Sequence, residues 1–339
     1  MTGPRIPPPV GLGAHIRVVS PAMPSMTYIP ARERRGRRAL TDLGYTVTYG
    51  SHAFDVSDDG LTAGTPAQRA SDLMEAFADP SVQVILAADG GVGTRDLLPL
   101  LDPAVIAANP KPFVGYSDNV YLNQYLLSEV GLSSLNGCTL MQHMGEAGGA
   151  YPETVEYFRR ALASDQPLRC EPLPSRTVGF IDFYVPEREA RPRTRDIPGG
   201  WTWLRPGRAE APLIGAEVTL VPSLVAEFGL VVDGTVLYWD ISFHGYDVEL
   251  HFKALCERLD VTRLAGMVIG SHPGIAPPAW AETVDQMLDA YLPDATYPVV
   301  VNTDLSHTSP SWTVPYGETV VLSSPDDLMV FPRLTIVPR

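Results

Sequence analysis

Short apolar segments alternate with helix-like segments along the first half of the chain. Four apolar segments have the length and composition of buried β-strands: residues 16–22, 45–50, 82–88 and 113–116. Helix-like segments lie at residues 30–43, 94–101 and 119–130, and a further helix begins after Thr65. Strands that alternate with helices favour a mainly parallel sheet covered by helices on both faces. The pattern therefore predicts an α/β fold with a Rossmann-like, parallel-sheet N-terminal domain.

The helix after Thr65 has the clearest start signal in the sequence. Thr65 and Gln68 form a T-x-x-Q capping box, and Pro66 suits the first helical position. The next apolar residues share the i, i+3, i+4, i+7 spacing of one helix face: Ala70, Leu73, Met74 and Phe77. This spacing predicts an amphipathic helix.

The alternation is interrupted between residues 146 and 211. A helix-like stretch at 151–163 is followed by a region dense in Pro, Arg and Gly. Beyond the interruption, strands at 213–221, 235–239, 267–270 and 298–302 alternate with helices at 247–259 and 279–292. We therefore predict an N-terminal domain (1–145), a connecting segment (146–211) and a C-terminal α/β domain (212–339).

The charge balance narrows the class of binding partner. The chain has 25 Lys and Arg against 39 Asp and Glu, a formal net charge of −14. Nucleic-acid phosphates and anionic lipids attract basic proteins, so we expect neither as a partner. No run of 18 apolar residues is present, and prolines interrupt the N-terminus where a signal peptide needs an apolar stretch. These features predict a cytoplasmic protein that acts on a small molecule, a peptide or another protein.

The cysteines and histidines do not have the spacing of a disulfide framework or a metal site. Cys138, Cys170 and Cys256 are scattered, so we expect buried, reduced thiols. The seven histidines include no H-x-x-x-H or other tight ligand spacing. We therefore expect no dedicated metal site. Gly91-Val92-Gly93 lacks the third glycine of a dinucleotide fingerprint, and no Gly-Lys-Ser/Thr of a P-loop follows it, so we expect no cofactor.

Two strand-to-helix junctions carry candidate chemistry. Three glycines in residues 89–93 (DGGVG) allow the backbone to come close to a bound group. Ser117 lies at the next junction, where open α/β sheets bind ligands, and the Asp118 amide at the helix start could stabilise an oxyanion. A tight turn and a helix cap are the structural alternatives for these two segments.

Two histidines lie just past predicted strands, where a side chain is well placed to act as a general base. His307 is in a loop of small polar residues after the strand at 298–302. His272 has a similar setting after the strand at 267–270. The residues alone do not rank the two.

Together these segments resemble the LD-carboxypeptidase family, which also contains the microcin C self-immunity peptidases. The most specific match is KPFVGYSD at residues 111–118, nearly the nucleophile segment of the family. The other matching segments are 16–24 (IRVVSPAMP), 89–98 (DGGVGTRDLL), 200–220 (GWTWLRPGRAEAPLIGAEVTL) and 299–317. The resemblance covers nearly the whole chain.

The resemblance implies a metal-free Ser-His-Glu triad in a cleft between the two α/β domains. Carried over to this sequence, Ser117 is the nucleophile and His307 the base, which leaves His272 a structural or peripheral role. The backbone amides of Gly91 and Asp118 would bind the oxyanion.

The triad acid is where this sequence departs from the family. The strand that ends in glutamate in the family reads VLYWD here, so that Asp240 takes the acid position if the next loop is one residue shorter. An ungapped alignment puts Trp239 there, and an indole cannot orient an imidazole. Glu217, in the glycine-rich turn, is the alternative acid. We expect Asp240.

The resemblance implies a serine peptidase or amidase, and two kinds of substrate remain open. One branch of the family removes the terminal D-alanine from murein tetrapeptides, and the other cleaves microcin C-like peptidyl nucleotides. Trp201 and Trp203 are candidate substrate-binding residues that could stack on a nucleobase; packing of the domain interface is the alternative. A homodimer is expected. A homologue that binds its ligand without turnover is the other class of function, if the acid is lost.

Overall fold

Two β-sheets organise the chain, and the computed structural model describes residues 3–177, 185–243 and 245–333 of it. In chain order, the strands within these residues are β1 (His15–Val19), β2 (Thr46–Tyr49), β3 (Val84–Ala87), β4 (Phe113–Gly115), β5 (Ser134–Asn136), β6 (Leu168–Cys170), β7 (Ser175–Arg176), β8 (Ile197–Pro198), β9 (Thr202–Arg205), β10 (Arg208–Glu217), β11 (Val236–Asp240), β12 (Gly266–Gly270), β13 (Val299–Thr303), β14 (Val314–Tyr316), β15 (Thr319–Ser323) and β16 (Leu328–Phe331). The α-helices are α1 (Ser25–Tyr28), α2 (Pro30–Asp42), α3 (Pro66–Ala78), α4 (Pro103–Ala108), α5 (Val120–Tyr125), α6 (Pro152–Leu162), α7 (Pro186–Glu189), α8 (Val221–Phe228), α9 (Val248–Arg258) and α10 (Pro277–Tyr291). Shorter 3-10 helices span Thr94–Leu100, Ser117–Asn119 and Val261–Arg263, and π-helical turns span Leu126–Val130 and Leu140–Met144.

The first sheet has the strand order β14-β5-β4-β3-β1-β2. Strands β2, β1, β3, β4 and β5 pair in parallel, and β14 pairs antiparallel with β5. Every residue of β3 and β4 is buried, as expected for a parallel sheet with helices on both faces. The predicted α/β fold with a parallel N-terminal sheet is confirmed.

The second sheet has the strand order β6-β16-β15-β10-β11-β12-β13-β9. Its central strands β10, β11, β12 and β13 are parallel, and antiparallel strands flank them on both sides. Strands β6 and β9 come from the segment 146–211, which therefore contributes to this sheet as well as connecting the domains. The domain boundaries at 145 and 211 stay a prediction.

The two sheets are joined by the chain itself. Strand β14 follows the last strand of the parallel core of the second sheet, yet it pairs with β5 at the edge of the first. Tyr238 on β11 also donates from its hydroxyl to the Asn136 side chain on β5 at 3.2 Å. These contacts connect the end of β5 in the first sheet to β14 and to β11 of the second sheet.

Helix α3 has the capping box and the buried apolar face that its sequence predicts. The Thr65 hydroxyl accepts from the Gln68 amide, and the Gln68 side chain accepts from the Thr65 amide. Three residues of the predicted apolar face are fully buried, namely Ala70, Leu73 and Phe77. The capping box and the amphipathic helix are confirmed.

The cysteines form no disulfide within the described residues. Cys138 and Cys170 are buried, as expected, whereas Cys256 on α9 is half-buried, because it lies at the edge of the apolar face of that helix. Among the described helices, none is long and apolar enough to cross a membrane.

Candidate active site

The turn after β4 holds Ser117 in an unusual backbone conformation. Its φ of 62° lies in the left-handed region, which is unfavourable for residues other than glycine. Asn119 stabilises the turn, because its side-chain amide donates to the carbonyls of Asp89 at 2.9 Å and Tyr116 at 3.0 Å. The Asp118 carboxylate accepts from the Thr94 amide at 2.9 Å. The turn is therefore hydrogen-bonded to the glycine-rich loop after β3. Ser117 is half-buried and lies where the turn faces this loop.

Glycines bring the neighbouring loop against Ser117. A Cβ on Gly90 would lie 2.9 Å from the Ser117 Cβ and 3.3 Å from its Oγ, closer than carbon atoms pack. Gly91 has a φ of 110°, and a Cβ there would overlap the Met23 side chain. The residues 89–93 therefore form a tight turn and, at the same time, allow backbone to approach the serine.

His307 lies in the loop after β13 and is oriented by a carboxylate. Its Nδ1 lies 2.5 Å from the Oδ2 of Asp240, the last residue of β11. Both side chains are almost fully buried, and the Tyr116 ring packs on the imidazole at 4.5 Å between centroids. Within the described residues, the buried Nε2 has no hydrogen-bond partner. An Nδ1–H that donates to Asp240 leaves the lone pair of Nε2 available to accept a proton.

Three carboxylates determine the electrostatics around this imidazole. Burial opposes protonation of His307, but the negative charges of Asp240, Glu217 and Asp89 outweigh it and raise the histidine pKa above its ordinary value. Burial also raises the pKa of Asp89, to about 6, and that of Glu217. The surroundings of His307 are therefore acidic, with carboxylates that are themselves buried.

Ser117 and His307 line the same cavity, which has a volume of about 330 Å³. Its other lining residues are Met23, Asp89, Gly90, Gly91, Gln142, Ser242, Phe243 and Tyr246. They come from loops at the carboxyl ends of strands in both sheets, together with the turn that contains Gln142. Such a position between two domains is where α/β proteins bind small ligands. Among the described residues, no cluster of three His, Cys, Asp or Glu side chains has the arrangement of a metal site.

Comparison with known proteins identifies the family. Two family models match the chain, the LD-carboxypeptidase N-terminal domain over residues 16–137 and the LD-carboxypeptidase C-terminal domain over residues 210–322. Together they span most of its length. The chain belongs to the LD-carboxypeptidase family.

Relatives within the LD-carboxypeptidase family include proteins named for murein peptides and one named for microcin C7 immunity. A Bacillus subtilis protein named "Probable murein peptide carboxypeptidase" is 25% identical over 328 residues, 96% of this chain and 93% of its own. The microcin C7 self-immunity protein MccF of Escherichia coli is 24% identical over 318 residues, 93% of this chain and 92% of its own. The solved structure of MccF in complex with glutamyl sulfamoyl guanosine is 22% identical, with a TM-score of 0.86, and covers 98% of this chain and 100% of the other. The two-domain α/β fold is thus shared with MccF.

The position predicted to hold the acid has a defined geometry. Asp240, rather than Glu217, is bonded to the His307 imidazole. Glu217 lies beside Asp240 in the register of β10 and β11, but its carboxylate accepts from the Thr219 amide at 2.9 Å and from the Thr219 hydroxyl. Trp239 is buried, and its indole donates to the Met267 sulfur. The identity of the acid stays a prediction, and this contact favours Asp240 over Glu217 for that role.

His272 differs from His307 in its hydrogen bonds. Its Nδ1 accepts from the amides of Gly274 and Ile275, each at 3.0 Å, and its ring packs on Trp280 at 4.9 Å. It is not among the residues that line the cavity with Ser117. These contacts are those of a residue that organises the loop after β12.

The candidate oxyanion-binding residues lie at or beside the cavity that Ser117 lines, whereas the candidate substrate-binding tryptophans lie elsewhere. Gly91 lines the cavity, and Asp118 is next to Ser117 with its side chain turned to Thr94. Trp201 and Trp203 do not line this cavity. Trp201 borders a second cavity of about 790 Å³ and packs on Trp312, and Trp203 donates to Asp327 at 2.8 Å. Their role in substrate binding stays a prediction.

Sequence reasoning did not assign the side chains of Asp89, Gln142, Phe243 and Tyr246 to the cavity. Asp89 had a local signal, since it directly follows an apolar strand beside the glycines. Phe243 and Tyr246 are exposed aromatic residues in the loop after β11, close in sequence to Asp240. Gln142 comes from a turn after β5 whose proximity depends on the tertiary fold.

Proposed function

We propose that the protein is a serine peptidase or amidase, with Ser117 as nucleophile, His307 as general base and Asp240 as the acid that orients it. The observation that carries the proposal is the state of His307. Its Nδ1 is hydrogen-bonded to Asp240, whereas its buried Nε2 has no hydrogen-bond partner among the described residues. Ser117 lines the same cavity as His307. A base with this arrangement is what a hydroxyl nucleophile requires.

The reaction begins with proton transfer. The Ser117 hydroxyl gives its proton to Nε2 of His307 as its Oγ attacks the carbonyl carbon of a substrate amide. The amides of Gly91 and Asp118 donate to the oxygen that becomes negative, and such donors are commonly worth about 3 kcal/mol each. Asp240 stabilises the imidazolium that forms and keeps its Nδ1–H in place.

Collapse of the tetrahedral intermediate completes the first half. The C–N bond breaks, Nε2 of His307 gives its proton to the leaving nitrogen, and the acyl group stays on the Ser117 Oγ. A water molecule then gives a proton to Nε2 and attacks the ester carbonyl. As the C–Oγ bond breaks, Nε2 passes that proton to the Ser117 Oγ, which restores the serine and releases the carboxylic acid.

The cavity and the family both support the proposed substrate class. A volume of about 330 Å³ fits the part of a small molecule around the scissile bond, which favours a small peptide or a peptidyl nucleotide. Relatives are named for murein peptides and for microcin C7 immunity. The predicted cytoplasmic location and homodimer stay predictions.

Turnover assays decide between the two substrates. We would incubate the protein with an LD-tetrapeptide and with a processed microcin C analogue, and identify the products by mass spectrometry. The proposal expects amide cleavage of at least one, abolished in Ser117→Ala. Binding of either compound without any product would instead indicate the non-catalytic homologue.

A further inference from the structure

Asp89 is a buried carboxylate in the wall of the cavity, and the mechanism above does not use it. It follows β3 and precedes the two glycines that pack against Ser117, and it is 5% exposed. The Asn119 side-chain amide donates a hydrogen bond to the Asp89 backbone carbonyl. The Asp89 main chain is therefore bonded to the turn that contains Ser117, and the residue lines the same cavity as Ser117 and His307.

The charges around Asp89 are unbalanced. Among the described residues that line the cavity, there is no Arg or Lys, and His307 is the basic side chain. Burial raises the pKa of Asp89 to about 6, although the Ser25 hydroxyl, the Gly90 amide, Arg32 and His307 all favour its charged form. Burial outweighs these favourable contacts, so a cation placed in the cavity beside Asp89 would further stabilise its charged form.

We propose that Asp89 binds a protonated primary amine of the substrate and thereby selects amides whose acyl residue carries such an amine. This inference rests on the proposed function, since it assigns a substrate feature to the same cavity. The amine has two possible sources: the α-amine of an aminoacyl nucleotide, or the side-chain amine of the residue before the terminal D-alanine in a murein-type tetrapeptide.

A purely structural role is the competing explanation for Asp89. Its Oδ1 accepts from the Gly90 amide at 3.0 Å, so it also supports the glycine-rich turn. An asparagine at this position can keep that hydrogen bond through its own Oδ1 but cannot provide the negative charge. Asp89→Asn therefore separates turn geometry from recognition of a cation.

Matched pairs of substrates test the proposal. One pair is alanyl sulfamoyl adenosine and its N-acetyl derivative; the other is L-Ala-γ-D-Glu-L-Lys-D-Ala and its Nε-acetyl-lysine form. For the pair that is cleaved, we expect wild type to favour the free amine by about 10- to 100-fold in kcat/KM, mainly through KM. Asp89→Asn should lower kcat/KM on the free-amine member by at least about tenfold more than on the acetylated member, so that the preference between the two is lost.

Asp96→Asn is the matched control, because Asp96 is in the same loop region but is exposed and absent from the cavity wall. It should retain the preference for the amine. Equal losses on both members of a pair in Asp89→Asn, or no amine preference in wild type, would overturn the inference.

Binding to Ser117→Ala, measured by titration calorimetry, makes the result independent of turnover. The amine form should bind more tightly than the acetylated form, and adding Asp89→Asn should remove the difference. If wild type cleaves neither pair, the proposed function fails while this measurement still decides the role of Asp89. Equal binding of the amine and acetylated forms would overturn it.

Discussion

The loops after β12 and β13 lie side by side at the carboxyl edge of the second sheet, and each carries a buried histidine. In the first loop, Nδ1 of His272 accepts two backbone amide hydrogens, so in the neutral ring the proton is on Nε2. In the second, Nδ1 of His307 faces the Asp240 carboxylate and carries the proton, which leaves Nε2 as the acceptor. The bond made by one ring nitrogen thus decides whether the other can act as a base.

This difference also explains why sequence position could not rank the two histidines. Both follow an apolar strand and both are followed by small or turn-forming residues. The deciding partner of His307 is Asp240, at the end of a different strand and 67 residues away. The partners of His272 are amides of its own loop. What distinguishes the proposed base from the other histidine is therefore a contact with a residue that is distant in the sequence.

The largest effect should come from removing the proposed base. His307→Ala should lower kcat/KM by about 10⁵- to 10⁶-fold, as low as Ser117→Ala, because members of a triad act as one unit. Steady-state kinetics on the cleaved substrate provide the measurement, and circular dichroism confirms folding. Activity of His307→Ala above one hundredth of wild type would show that another group accepts the proton.

The second effect concerns the contact that separates the two histidines. Asp240→Asn should reduce turnover by about 10⁴-fold, the scale of a comparable change in a serine protease, because an amide can hold the wrong imidazole tautomer. Asp240→Glu should give partial activity, since it keeps the charge but adds a methylene group to a buried site. Glu217→Gln is the control and should be mild. A silent Asp240→Asn with an inactive Glu217→Gln would reverse the assignment of the acid.

The pH dependence of kcat/KM should also depend on the contact between His307 and Asp240. Catalysis needs neutral His307, and nearby carboxylates raise its pKa, so kcat/KM should fall as pH decreases from above the ordinary histidine value of about 6.5. Asp240→Asn should move this acidic limb to lower pH in its residual activity, because it removes the nearest negative charge. His272→Ala should leave the limb in place. A limb that moved with His272 would contradict the assignment.

The smallest effect should come from the other histidine. His272→Ala removes the acceptor for the Gly274 and Ile275 amides and the packing on Trp280, so we expect a loss of stability of about 1–3 kcal/mol. Turnover should stay within about tenfold of wild type, because His272 does not line the cavity. Urea unfolding and kinetics on one preparation measure both. Loss of activity with unchanged stability would give His272 the role proposed for His307.

Local sequence signals predicted the elements that position the site, and non-local pairing determined the rest. The Thr65 capping box and the apolar strands before Ser117 and His307 depend on neighbours within a few residues, so they could be predicted from the sequence. The return of β14 to the first sheet depends on pairing with β5, about 180 residues earlier in the chain, which periodicity does not report. The resemblance to a family supplied the roles of Ser117 and His307. It did not provide Asp89 as part of the cavity, because that side chain was considered only within a tight turn.

The most direct test of the central claim is labelling with a fluorophosphonate serine probe, followed by peptide mapping of the modified residue. The account predicts that wild type is labelled at Ser117, that His307→Ala is not labelled, and that His272→Ala is labelled like wild type. Labelling of Ser117 that survives in His307→Ala but disappears in His272→Ala would contradict it.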